Sequence, residues 1–307
     1  MMFQFKDWLL LVVAFTSMLI GTLLPKVGEP FQWAPMPCMM ALLFFSFLSV
    51  RLGDMVVSVK KSLATLGYFV FTKLVLLPIL VFFAFQYLCP KYALSALLLS
   101  GVSSGTASPF FAILVNANIS IVLGMVILSS VLVPFTLPAM THLLMGRSME
   151  ISFLSMSQLL CTVVFIPLIL AEVMKRISPA YSDKLFNAQY PIALVSFIMT
   201  NLGIFSKYSD FLYQEPIVFA SSLGITFVLA GIYFVAGLIF SFGHSVADRL
   251  SLIVSLGIMN SVLVLVFSSE FFGPLEATVA ALYSVPFFVL ILPMRVYQSW
   301  ARRVPIR

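Results

Sequence analysis

Three places in the sequence put polar or charged side chains inside strongly apolar surroundings. Ser103-Ser104-Gly105-Thr106-Ala107-Ser108-Pro109 interrupts an apolar run at about 92–115, and Ser255-Leu256-Gly257-Ile258-Met259-Asn260-Ser261 interrupts another at about 248–269. Lys73 stands alone inside a third, at about 63–88. Hydroxyls and an amide grouped where Gly and Pro weaken a helix can cap broken backbone or hydrogen-bond a solute. They do not make a hydrolytic centre. The chain has no H-E-x-x-H motif and no paired aspartates within an apolar run. His142 and His244 each lack a second ligand at metal spacing, and Cys38, Cys89 and Cys161 show no C-x-x-C spacing. The expectation is a protein that binds or moves something, with no enzymatic activity, no cofactor and no metal centre.

The elements carrying these residues follow from composition. Of 307 residues 62% are hydrophobic and 9% charged, with a mean hydropathy of +1.12. A soluble domain needs about 25% charged residues, so a sizeable soluble domain or a nucleic-acid binder is excluded despite the net charge of +6. Ten apolar runs are separated by charge or turn clusters, at about 8–24, 34–50, 63–88, 92–115, 119–145, 152–174, 190–205, 217–242, 248–269 and 274–297. They are continuous rather than alternating, so they read as helices in a lipid bilayer and not as barrel strands. The first run lacks a clear small-residue cleavage site and reads as a span rather than a signal peptide. Trp8, Trp33 and Trp300 stand at run edges, as interfacial anchors do.

With ten spans, one membrane side receives both termini and the even-numbered loops. That side carries Lys6, Arg51, Lys60, Lys61, Lys175, Arg176, Lys184, Arg249, Arg295, Arg302, Arg303 and Arg307, twelve cations. The other carries Lys26, Lys91, Arg147 and Lys207, which is four. The positive-inside rule then places both termini in the cytoplasm of a plasma (inner) membrane. Ten spans divide into two five-helix repeats, 1–146 and 147–307, the second inserted upside down. The two interruptions fall in the fourth segment of each half. Corresponding breaks are the best sequence pointer to a transport site, while close helix packing is the plainer reading of such small polar motifs.

At these segments the chain resembles the bile acid:sodium symporter family. Ser104-Gly105-Thr106-Ala107-Ser108 resembles the family's Gly-Gly-Thr-Ala-Ser break in helix four, and the similarity continues through Asn118 to Pro134 and Pro138. Gly257-Ile258-Met259-Asn260-Ser261 resembles its Gly-Met-Gln-Asn-Ser break in helix nine, with Phe272-Gly273-Pro274-Leu275 following at family spacing. Leu48 to Asp54 and Lys73 to Pro78 resemble parts of helices two and three. The resemblance implies an all-α membrane protein of ten helices in two inverted repeats. A panel of helices 1, 2, 6 and 7 would face a core in which helices four and nine cross at their breaks. Substrate would bind between panel and core.

It also implies where the chain departs from the family. Of the positions that would hold two sodium ions, only Ser108 keeps its oxygen. The others are Pro109, Val122, Val126, Ser255, Met259 and Lys73. Sodium is a hard cation that needs oxygen ligands, so the family sites are lost. Lys73 lies ten residues from one end of its run and fifteen from the other, roughly 15 Å deep at about 1.5 Å per residue. An intramembrane lysine is functional by default. Its aligned position implies an ammonium in place of the second sodium, with proton exchange as a further role, although a lysine reaching only a carbonyl or a crevice stays open. Thr106 and Asn260, with Ser104, Ser108 and Ser261 around them, are implied as substrate contacts; capping alone stays open for Thr106 and Asn260.

The function expected is alternating-access transport of a small organic anion, independent of sodium at the family sites. The lipid bilayer is the other partner, and oligomeric state is not legible. Two alternatives stand beside it. One is a sodium symporter with ligands relocated to residues such as Ser103, Ser104, Ser129 and Ser130, and the other a transport-dead receptor on the same fold.

Overall fold

The computed structural model describes residues 5–49, 63–146, 151–178, 185 and 189–303, and all regular structure among them is helical. Backbone in hydrocarbon must hydrogen-bond within its own segment, which leaves the helix as the form for continuous apolar runs. The first part of the chain forms α1 (Phe5–Leu23), a short α2 (Pro25–Gly28) with a 3₁₀ turn (Glu29–Phe31), and α3 (Pro35–Ser49). Next come α4 (Leu63–Phe71), a π-helical turn (Thr72–Leu76), α5 (Leu77–Leu88), α6 (Ala93–Gly101), α7 (Ser108–Leu114) and α8 (Ile119–Met145). The later part forms α9 (Phe153–Ile177), α10 (Gln189–Lys207), α11 (Ser209–Gln214), α12 (Pro216–Phe240), α13 (Val246–Gly257) and α14 (Ser261–Phe271). It ends with α15 (Pro274–Leu282), α16 (Ser284–Val289) and α17 (Ile291–Arg303).

Local sequence sets many of these boundaries. Proline opens α2, α7, α12 and α15, where its missing N–H costs nothing. Ser152 and Ser245 cap α9 and α13, accepting from the N–H groups of Leu154 and Asp248 at 3.2 Å each.

Among the described residues, six helical stretches are long and apolar enough to cross a membrane. A seventh is counted if Pro25–Phe31 and Pro35–Leu48, bent by 64° between them, are one span. Leu63–Leu88 is one of the six, and Lys73 lies within it. The two runs read as interrupted are each a pair of shorter helices, α6 with α7 and α13 with α14, none of them long enough to span alone. Between the first two apolar runs, 25–31 forms a short helical approach to α3.

The helices pack in two groups. In one, α1 and α2 lie on α10, α10 lies on α3, and α3 lies on α9. Two glycines allow the closest approach in this group: a side chain at Gly28 would collide with Leu202 and Ser206, and one at Gly203 with Phe31. In the other group, α8 receives α4, α6, α7 and α13, while α12 packs on α13 and α15. The groups meet where α8 lies on α9 and where α3 lies on α14.

Candidate functional site

The two interrupted helices are joined to each other at their interruptions. Gly105 N donates to Ile258 O at 2.7 Å and Asn260 N donates to Ser103 O at 3.0 Å, with Ser104 and Met259 forming an antiparallel bridge. Side chains reinforce the joint. Ser104 Oγ donates to Ser255 O and Ser108 Oγ to Ile258 O, both at 2.9 Å. From α8, Ser129 Oγ accepts from Ser104 N at 3.0 Å. Each helix end would otherwise bury unpaired backbone groups; here one break satisfies the other. The close approach needs glycine, since a Cβ at Gly105 would lie 2.7 Å from Met259 O. Tyr283 OH donates to Gly257 O at 2.9 Å, closing the end of α13. Asn118 ties the start of α8 to α13 through Asp248 Oδ1 and Ser251 Oγ, both at 2.9 Å.

A cavity of about 520 Å³ ends on this joint. Gly105, Thr106, Met259, Asn260 and Ser261 form its floor, and Met39, Ser46, Gln189, Tyr190 and Phe197 of the first helix group form one wall. Phe110, Phe111, Phe287 and Phe288 form the opposite wall. No Lys, Arg, Asp or Glu lines it among the described residues. Asn260 caps α14, its Oδ1 accepting from Leu263 N at 3.2 Å. That bond fixes the amide's orientation and leaves Nδ2, a buried atom, without a partner among the described residues. Thr106 is exposed. The structure thus brings Thr106, Asn260 and Ser261 together at the cavity. It places Ser104 and Ser108 behind them, fully buried, with their hydroxyls used by the other break.

A separate space of about 30 Å³, lined by Phe15, Met18, Asn201 and Leu265, shares Phe197, Ser261, Val262 and Ser284 with the cavity. Further along, Tyr208 OH and Lys207 Nζ donate to Ser269 O at 2.9 and 3.4 Å, tying the end of α10 to α14.

Lys73 is wholly buried in its π-helical turn, and its Nζ has no hydrogen-bond partner among the described residues. The turn packs on α4, α5, α6 and α8. Gly101, the last residue of α6, faces Pro78; a side chain there would lie 3.6 Å from Pro78 Cγ. Because α5 and α6 form an antiparallel hairpin through 89–92, Lys73 lies level with the residues that follow α6, which are the first break. The last carbonyls of α6 have no helical partners and carry its negative dipole end, a setting that favours a cation. Ser103 Oγ and Ser255 Oγ are also buried without partners, and none of these three groups lines the cavity. Val122 and Val126 are buried and apolar, Met259 is buried, and Pro109 opens α7. Ser130, like Ser129, is buried in α8.

The aromatic wall was not read from the sequence. Its only signal is the doublets Phe110-Phe111 and Phe287-Phe288, inconspicuous among 31 phenylalanines.

Membrane-length apolar spans and two broken helices joined at a cavity define an integral membrane protein with a site between its helix groups. The sequence model of the sodium bile acid symporter family matches residues 32–215, and the chain belongs to that family. The match includes Lys73 and the first break and ends before the second. No curated protein matches the chain.

Proposed function

We propose that the chain is a secondary transporter of a small organic anion, working by alternating access and not driven by sodium at the family's positions. The observation that carries this reading is the cavity whose floor is the joint between the breaks. Thr106, Asn260 and Ser261 are the substrate contacts on this reading, while Ser104 and Ser108 hold the joint. The breaks together with the seven candidate spans and α1 support ten passages in two inverted halves, 1–146 and 147–307. The cavity lining includes Ser46 and Gln189, which stand close in sequence to the cation-bearing stretches 50–62 and 178–188. That supports a cytoplasmic opening, with the Tyr208–Ser269 tie closing the other end.

Lys73 is proposed as the tethered replacement for a bound cation. An ammonium buried without an acceptor costs several kcal/mol, so its energy depends on how the nearby carbonyls of the first break are turned. That dependence would couple the lysine to movement of the joint. Purified protein in liposomes should exchange an organic anion at an undiminished rate when sodium is replaced by N-methyl-D-glucamine. Lys73→Gln should reduce that exchange at least tenfold. Loss of exchange without sodium would instead favour relocated ligands, for which the unpartnered hydroxyls of Ser103 and Ser255 are the candidates. Saturable binding with no exchange of any anion would favour a receptor.

A further inference from the structure

The cavity's chemistry is uneven, and the unevenness defines a ligand. Polar capacity is concentrated on the floor: the Asn260 amide, the Thr106 and Ser261 hydroxyls, and the N-terminus of the 11-residue helix α14. Asn260 lines the floor at 9% exposure, and its Nδ2, itself buried, lacks a partner among the described residues, so a donor is held at a helix N-terminus just beneath the cavity surface. A positive dipole end with an unused donor suits an anionic oxygen. No acidic side chain lines the cavity among the described residues, so a ligand cation would find no counter-charge.

Phenylalanine rings set edge to face form the wall. Phe111 and Phe287 have centroids 5.2 Å apart at 79°, Phe287 and Phe288 are 4.9 Å apart at 73°, and Phe110 meets Phe111 at 90°. Phe287 and Phe288 are half-buried, leaving ring surface for a further partner. Such rows favour another aromatic ring over a saturated body of the same size, because the ring quadrupoles add attraction beyond area burial. The wall also penalises charge. A second carboxylate lying among these rings would lose its water and gain no donor.

We infer that the preferred ligand is an aryl monocarboxylate, its carboxylate on Asn260, Thr106 and Ser261 and its ring against Phe111, Phe287 and Phe288. This rests on the proposed binding site at the joint but not on transport. The volume of about 520 Å³ accommodates a drug-sized molecule of one to three rings.

Ligand binding to the purified chain in detergent, read by calorimetry, tests it apart from transport. The probes are 2-naphthoate, its saturated counterpart decahydro-2-naphthoate, and naphthalene-2,6-dicarboxylate. The expected order is 2-naphthoate about 3- to 10-fold tighter than the saturated acid and about a hundredfold tighter than the dicarboxylate. Phe287→Leu should remove the preference for the aromatic ring, so that the aromatic and saturated acids bind with equal affinity. Asn260→Asp keeps an oxygen to cap Leu263 but replaces the donor with a negative charge, and should abolish binding of every carboxylate with little change in thermal stability. Equal affinity for the aromatic and saturated acids, good binding of the dicarboxylate, or no binding of any probe would overturn the inference. Binding in the expected order without counterflow in liposomes would support it while overturning the transport reading.

Discussion

The two breaks do different work although they meet at one place. The first, between α6 and α7, runs from 102 to 107; Ser104 within it and Ser108 just after it hold carbonyls of the other segment, and Ser129 holds Ser104 N. The second, between α13 and α14, is shorter. Its one polar side chain with an unused atom, Asn260, spends its oxygen on a cap and keeps its nitrogen unpartnered. One break is built mainly as a clasp and the other mainly as a receptor, with Thr106 the exposed exception on the clasp side. A motif rich in hydroxyls therefore need not be the part that meets the solute. Hydroxyls that reach carbonyls 150 residues away are already committed.

The largest effect that would break this comparison is expected at Gly105. Gly105→Ala puts a Cβ 2.7 Å from a backbone oxygen that cannot move without opening the joint. It should cost about 3 kcal/mol, read as a fall of many degrees in the thermal midpoint of the purified protein. Gly67, with nothing within 4 Å, should accept alanine without loss.

The contrast between clasp and receptor is sharpened by a pair of variants. Ser108→Ala removes the bond to Ile258 O and should lower stability by about 1 kcal/mol while leaving the apparent substrate affinity of the folded fraction unchanged. Thr106→Val should do the reverse, weakening affinity several-fold in an uptake assay with no change in thermal midpoint. If both variants acted on affinity alone, the division of labour would be wrong.

The smallest effect is expected far from the joint. Tyr208→Phe removes one bond to Ser269 O, worth about 0.5–1.5 kcal/mol. It should shift the balance towards opening at that end, measured as faster modification of a cysteine introduced at Leu265 by a water-soluble reagent. No change in that rate would place the closure elsewhere.

Much of this was legible in the sequence, for reasons particular residues make clear. Gly105, Pro109 and Gly257 amid apolar residues mark helix interruptions, because such backbone in lipid must find partners from another segment. Lys73 could be placed at depth from the length of its run alone. What the resemblance to sodium symporters implied about Pro109, Val122 and Val126 concerned side-chain chemistry, which needs no coordinates.

Tertiary structure decided the rest. Whether Ser104 or Thr106 faces the cavity depends on a half-turn of irregular backbone, which has no period to read. The π-helical turn that carries Lys73 and the short helix before Pro35 leave no distinct pattern in hydropathy. Phe287 and Phe288 became a wall only through contact with Phe111, far away in the chain. Composition and interruption determined that this chain crosses a membrane and breaks two helices to do its work, since lipid leaves few other solutions. Which polar groups remain for a ligand was settled by the fold, because a hydrogen bond formed across the joint removes its atoms from use elsewhere.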